Sequence, residues 1–202
     1  FNVTAANVVL NCNGYFVTGN NSSSTYGIYS NVNNTTIRNC PISNFMSAIW
    51  LFNSNGSTIN NVTAGSTNTG ANPHGIFLQS SSSNLINNST ATATAGHAIY
   101  VVSSSNSNNI TGSSATSTSG NGIYVSSANS NRITGSTGTS TSGAGIYVET
   151  STSALLSNST AVSNSGAALW VAGTSSHTIS NVTATSTSSD GFKVASTSSS
   201  QF

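Results

Sequence analysis

GIYVSSANSNRITGSTGTSTSGA, residues Gly122–Ala144, is the stretch whose reading decides the fold. The next stretch, GIYVETSTSALLSNSTAVSNSGA (Gly145–Ala167), has the same length and layout. So has ALWVAGTSSHTISNVTATSTSSD (Ala168–Asp190). Each opens with a small residue, then apolar, aromatic, apolar. Further on come Ile or Leu, then Asn or Gly two places later, then alternating Thr and Ser. Self-similarity at a fixed period marks a solenoid, in which each repeat buries its apolar side only against its neighbours. The same openers stand at Gly27, Ala48, Gly75, Ala98 and Gly191, and Phe1 begins an earlier, less regular coil. The chain therefore reads as one domain, residues 1–202, of about eight to nine coils of roughly 21–27 residues. The Ala48 coil carries an insertion around Ser66–His74 (STNTGANPH), where Pro73 marks a loop. Val17–Tyr26 reads as a similar loop in the first coil.

Each coil reads as three short strands. The first is the opener, where period-two alternation sends Ile123 and Val125 inward and Tyr124 outward. The second centres on Ile133 and its equivalents Ile37, Ile59, Ile86, Ile110, Leu156 and Ile179. A corner follows at Asn39, Asn61, Asn88, Gly112, Gly135, Asn158 or Asn181. Asn and Gly interchange where the backbone needs φ > 0, which both tolerate. Beyond the corner, Val182, Ala184 and Ser186 point in, and Thr183, Thr185 and Thr187 point out. Small inward residues make the cross-section tight on that side. Strands that pair in parallel one coil later make an all-β, right-handed parallel β-helix, since such crossovers are right-handed in about 98% of cases.

The run VVLNCNGYFVTG (Val8–Gly19), then GIYSN (Gly27–Asn31) and TIRNCPIS (Thr36–Ser43), resembles right-handed β-helix repeat proteins of the NosD-like, pectate-lyase-like class. Such chains are frequent in archaeal and bacterial surface proteins. The resemblance covers nearly the whole chain and implies the fold. It leaves function open, because lyases, adhesins and surface-layer proteins share these repeats. Where relatives carry Asp in the first-coil motif, this chain has Asn11.

Composition narrows the function. Only three basic and two acidic residues occur, or 2% of the chain, against about 25% in ordinary domains. With no basic cluster, nucleic acid is not an expected partner. No apolar run approaches the ~18–20 residues of a membrane span. Glycoside hydrolysis needs two carboxyls facing one bond. The lone pair here, Glu149 and Asp190, stands two coils apart, so no enzyme is expected. His74 and His97 each precede an opener and stack on adjacent coils. Two imidazoles are a partial ligand set, so no metal and no cofactor are expected.

Cys12 and Cys40 each follow a corner-type Asn, in the same register one coil apart. That spacing suits a disulfide, and it suits two reduced cysteines side by side equally well. Asn-x-Ser/Thr triplets begin at Asn2, Asn21, Asn34, Asn55, Asn61 and Asn109, and also at Asn88, Asn158 and Asn181. They read either as turn asparagines before Thr-rich strands or as N-glycosylation acceptors on a secreted surface.

Two outward sets stand out. The first is an aromatic ladder on strand one: Tyr29, Trp50, Phe77, Tyr100, Tyr124, Tyr147 and Trp170, ending at Lys193. It is expected to be solvent-exposed, and a contiguous apolar patch marks an interface. The second is a strand-three array: Thr90, Thr92 and Thr94; Thr116 and Thr118; Thr137, Thr139 and Thr141; Thr183, Thr185 and Thr187. The Gly145 coil breaks it with Val162 and Asn164. Flat Thr-x-Thr arrays resemble the ice-binding faces of antifreeze proteins, although Thr is also a common choice for a solvated strand. No capping helix is visible at either end, and Phe202 falls at a core register. The sequence thus points to a non-enzymatic extracellular structural protein, a subunit of a self-assembling sheath, surface layer or filament. An ice-binding protein and a carbohydrate-binding adhesin are the alternatives. The expected partners are further copies of the chain, and glycans.

Overall fold

Strands at Ile123–Ser126, Arg132–Thr134 and Thr137–Ser140 make one coil, and the chain repeats this triple from end to end. The computed structural model describes residues 1–70, 73–173, 175–195 and 198–201. Among them there is no helix. Openers stack into a first sheet of nine strands, and the other two positions stack into second and third sheets of eight strands each. All pairings are parallel and in register; Ile123 pairs with Ile146 and Tyr124 with Tyr147. This is the expected all-β parallel solenoid of about eight turns, three strands to a turn.

One apolar column per inward position forms the core. Ile123, Val125 and Ile133 are 0%, 1% and 1% exposed, and the same positions are buried in neighbouring coils. Each such side chain contributes about 1.5–3 kcal/mol on burial. The third sheet supplies mostly Ala, Gly and Ser inward, such as Ala115 and Ser117 or Gly138 and Ser140. A Cβ on Gly122 would lie 2.5 Å from Thr139 N and 2.5 Å from Gly145 O. The opener is therefore small because third-sheet backbone passes directly over it.

Corners follow from backbone conformation. Asn39, Asn61, Asn88, Asn158 and Asn181 have φ between 46° and 54°, and Gly112 and Gly135 have 55° and 57°. The asparagine amides also bond from coil to coil, as Asn61 Nδ2 does to Asn39 Oδ1 at 2.8 Å.

The serines between strands are structural as well. Ser89, Ser113, Ser136 and Ser159 are at most 3% exposed. Each of the last three accepts the backbone N–H of its equivalent one coil earlier, at 3.1–3.2 Å. Asn84, Asn108 and Asn131 form a second such column before the second sheet, through Oδ1 atoms at 2.7–2.8 Å from backbone N–H groups. Buried backbone donors must be paired, and at corners no strand partner is available. Ser and Asn supply the acceptor there.

Two details correct the sequence reading. Val17–Tyr26 is not wholly loop: Val17–Thr18 joins the third sheet and Tyr26 begins the strand Tyr26–Ser30. The inserted segment starts after Ser66, which ends the strand Thr63–Ser66 and points inward, its hydroxyl donating to Met46 O at 2.7 Å. Asn68 Nδ2 donates to Asn21 O at 2.7 Å, so the two insertions brace one another. Phe202, expected at a core register, lies outside the described residues, as do Ala71 and Asn72 of the insertion.

Candidate functional site

In-register pairing puts Tyr29, Trp50, Phe77, Tyr100, Tyr124, Tyr147 and Trp170 in one column on the outer face of the first sheet. From Trp50 to Trp170, successive ring centroids are 4.4–5.7 Å apart and planes differ by 1–15°. Tyr29 meets Trp50 edge-on at 5.1 Å. Lys193 Nζ closes the column 4.3 Å from the Trp170 ring centroid. The sequence reading expected a solvent-exposed ladder, and the structure corrects it to a partly exposed one. All seven side chains are half-buried, because one strand spacing between identical positions brings each ring face against the next. Ring edges and hydroxyls remain at the surface.

Histidines flank the column. His74 and His97 stack at 5.4 Å, 6° from parallel, and His97 also packs on Tyr100 and Tyr124 at 4.8 and 4.7 Å. His97 N–H donates to His74 Nδ1 at 3.1 Å, and Asn121 N–H donates to His97 Nδ1 at 3.0 Å. Asn121 Oδ1 continues the series by accepting from Ala144 N–H at 2.8 Å. Burial pushes the His74 imidazole down to about 3, reinforced by the neighbouring His97, and burial pushes His97 down to about 4. Both rings are thus neutral backbone acceptors. Among the described residues, no three His, Cys, Asp or Glu side chains converge.

Glu149 lies on the other flank, at the end of the strand Ile146–Glu149 rather than just past it. Its carboxylate accepts from the Tyr124 hydroxyl and approaches Ser126 Oγ at 3.5 Å. Burial raises the phenols of Tyr124 and Tyr147, and hydrogen bonding to Glu149 raises them further, Tyr147 to about 12. Sequence reasoning missed this cluster. The signal lay in the outward register that Glu149 shares with Ser126, two residues beyond the aromatic position.

Near its amino-terminal half the ladder borders a groove of about 290 Å³ lined by Tyr26, Met46, Trp50, Phe77, Gln79 and Tyr100, among others. Tyr26, absent from the sequence-derived ladder, packs on Trp50 at 4.6 Å. The indole nitrogens of Trp50 and Trp170 and His74 Nε2 are buried without a hydrogen-bond partner.

The third sheet carries the threonine array in columns. Thr63, Thr90, Ser114, Thr137, Thr160 and Thr183 share one register. Thr92, Thr116, Thr139, Val162 and Thr185 share the next. Thr94, Thr118, Thr141, Asn164 and Thr187 follow just beyond, each joined by its N–H to the coil below. Thr63 and Thr160 extend the array beyond the sequence reading. Thr160 stands two residues after its corner, as Thr137 does.

Cys12 and Cys40 form a disulfide with Cα atoms 4.8 Å apart. Asn2, Asn21, Asn34, Asn55 and Asn61 are exposed, whereas Asn109 lies half-buried in the strand Asn109–Thr111. The amides of Asn34 and Asn61 already donate to Asn7 and Asn39, at 3.0 and 2.8 Å. Among the described residues, that leaves Asn2, Asn21, Asn55, Asn88 and Asn158 as the exposed triplets that donate no side-chain N–H within the chain. Glu149 and Asp190 belong to different coils, Asp190 near the strand Phe192–Ala195.

No curated protein sequence matches the chain. Among solved structures it is similar to the Azotobacter vinelandii mannuronan C-5 epimerase AlgE4 A-module, with a TM-score of 0.59 and 13% identity. That match covers 89% of this chain and 53% of the other, so the chain spans about half the length of the epimerase module. At this identity the likeness shows the fold alone. The family model described as the right-handed beta helix region matches residues 2–138 and 121–202, and the chain belongs to that family.

Proposed function

We propose that the protein is a non-catalytic structural β-helix of the cell surface, a subunit that packs against copies of itself in a sheath, layer or filament. The observation that carries this reading is the unbroken aromatic column from Tyr29 to Trp170. A continuous apolar strip is characteristic of an interface, and Tyr and Trp are its preferred anchors. Face-to-face stacking fixes the rings in advance, so little side-chain freedom is lost on association. With so few charges, copies approach one another without electrostatic repulsion. The Cys12–Cys40 disulfide suits an oxidising, extracellular setting.

Two features support the non-catalytic part. Glu149 is held by Tyr124, and its only acidic counterpart, Asp190, belongs to another coil. Sugar stacking, the route by which a carbohydrate-binding adhesin or an enzyme acting on a polymer such as mannuronan would use aromatics, needs free ring faces. Here those faces cover one another.

The test is assembly. Light scattering across a concentration series, followed by electron microscopy, is expected to reveal polymers of the native chain. Tyr124→Ser with Tyr147→Ser is expected to abolish them. A native protein that stays monomeric at high concentration contradicts the reading.

A further inference from the structure

We propose that the outward threonine face of the third sheet is an ice-binding surface, whose ligand is the water lattice of an ice crystal. This proposal does not depend on assembly through the first sheet.

The argument begins with a comparison inside the molecule. The second sheet also faces solvent, and there one outward column reads Val9, Thr36, Thr58, Leu85, Asn109, Arg132, Leu155 and Thr178, threonine at only three of eight positions. If threonine were merely the default for a solvated strand in this chain, that column would show it too. On the third sheet the corresponding column is threonine at every described position from Thr63 to Thr183 except Ser114. Uniformity is therefore particular to one face.

Hydrogen bonding separates the faces again. Second-sheet side chains satisfy one another from coil to coil, as Asn87 does with Asn60 at 2.9 Å and Thr134 with Ser157 at 3.4 Å. Among the described residues, the third-sheet threonine hydroxyls form no such bonds. Their donors and acceptors are left to water. Each hydroxyl sits beside its own methyl group, which cannot hydrogen-bond and so constrains the orientation of neighbouring water.

Spacing turns these groups into a lattice. Strands repeat about every 4.8 Å across the sheet, and outward residues about every 6.6–6.8 Å along it. Hydroxyls and methyls therefore recur on a regular two-dimensional grid, the kind of array a crystal lattice of water can match. The backing is stiff. Ser117, Ser140 and Ser163 point inward and donate to Gly96, Gly120 and Gly143 carbonyls at 2.6–2.7 Å, locking each strand to the preceding coil. None of the described outward positions in the array is charged, so no ionic hydration shell competes with the lattice.

The experiment measures thermal hysteresis and the fraction of protein taken up by a slowly growing ice front. The native chain is expected to show hysteresis and to accumulate in the ice. Thr116→Lys with Thr139→Lys is expected to lose both properties. Thr111→Lys with Thr134→Lys, on the second sheet, is expected to keep them. Circular dichroism and melting check that each variant folds; Thr118→Lys, exposed one residue beyond the strand Ser114–Ser117, replaces the double variant if it does not. A native chain excluded from ice overturns the proposal. So does equal loss in the second-sheet variant.

Discussion

His97 donates its backbone N–H to Nδ1 of His74 at 3.1 Å, and the two imidazoles lie 5.4 Å apart. Histidine here does the work that Asn121 does one coil later, namely accepting a backbone N–H at the mouth of the first sheet.

That relationship makes stability fall in acid. The folded-state values of His74 and His97, about 3 and about 4, lie below the ordinary 6.5. The unfolded chain therefore binds protons that the fold rejects. The stabilisation is complete above pH 6.5 and is lost as pH falls towards those values. Near pH 5 the loss is about 2 kcal/mol for each histidine. His177, also lowered by burial, acts in the same direction. Urea midpoints near pH 7.5 and pH 5 measure the effect, and with only two acidic side chains little else titrates between them. His74→Asn with His97→Asn keeps the acceptors and is expected to flatten most of the slope. An unchanged slope counts against the assignment.

The Glu149 cluster acts at the opposite end of the pH scale. Tyr147 ionises at about 12 in the fold, because of burial and then Glu149. An acid whose value is raised stabilises the fold below its ordinary value of 10, and that contribution is lost as pH rises towards 12. In Glu149→Gln the tyrosine titration, followed by phenolate absorbance, is expected to move down towards 10 without reaching it, since burial remains. At neutral pH the variant loses a charge-assisted hydrogen bond, about 1 kcal/mol. An unshifted titration would mean that burial alone sets these phenols.

The disulfide spans 28 residues of sequence, one coil. Chain entropy gives such a loop about 3–4 kcal/mol. In a solenoid the effect is local, because each coil touches only its neighbours. Cys12→Ala with Cys40→Ala is expected to release the first coil, seen as faster amide exchange at Leu10 and Cys12. Exchange at Ile133 should be unchanged. Uniform acceleration along the rod would argue against local coupling.

Glycines of equal appearance should respond oppositely to substitution. Gly135 has φ 57° and open space where a Cβ would go. Asn fits both conditions, so Gly135→Asn is expected to be near neutral, while Gly135→Val costs about 1–2 kcal/mol. Gly122 is hemmed in by backbone at 2.5 Å, and Gly122→Ala forces third-sheet backbone to move, costing about 1–3 kcal/mol. Thermal melts rank the three variants. Gly122→Ala melting with the native chain would remove the close approach as the reason for a small opener.

Much of this was legible before any coordinates. Ile123, Val125 and Ile133 gave the period, and the Asn/Gly alternation at Gly135 and Asn158 marked the corners through backbone preference alone. What hid was the role of the polar residues. Ser113 and Ser136 carry no signal in the sequence, yet they are buried acceptors, because a Ser on a corner and a Ser in solvent look alike in one dimension. The ladder was located correctly and its exposure was not. Alternation says which side of a strand Tyr124 faces, but not that Tyr100 and Tyr147 cover both its faces. Glu149 was judged by its distance from Asp190, and the tyrosines that hold it were overlooked.

The serine columns have one further consequence. Ser136 and Ser159 each present the same acceptor to the coil below, at a separation of 23 residues. Adjacent coils are therefore interchangeable modules. Excising Gly122–Ala144 would join Asn121 to Gly145 and leave every remaining ladder in register. Genes encoding such a rod can lengthen or shorten it by whole turns, about 4.8 Å at a time, with the strand pairing kept and only outward contacts such as Tyr124–Glu149 lost.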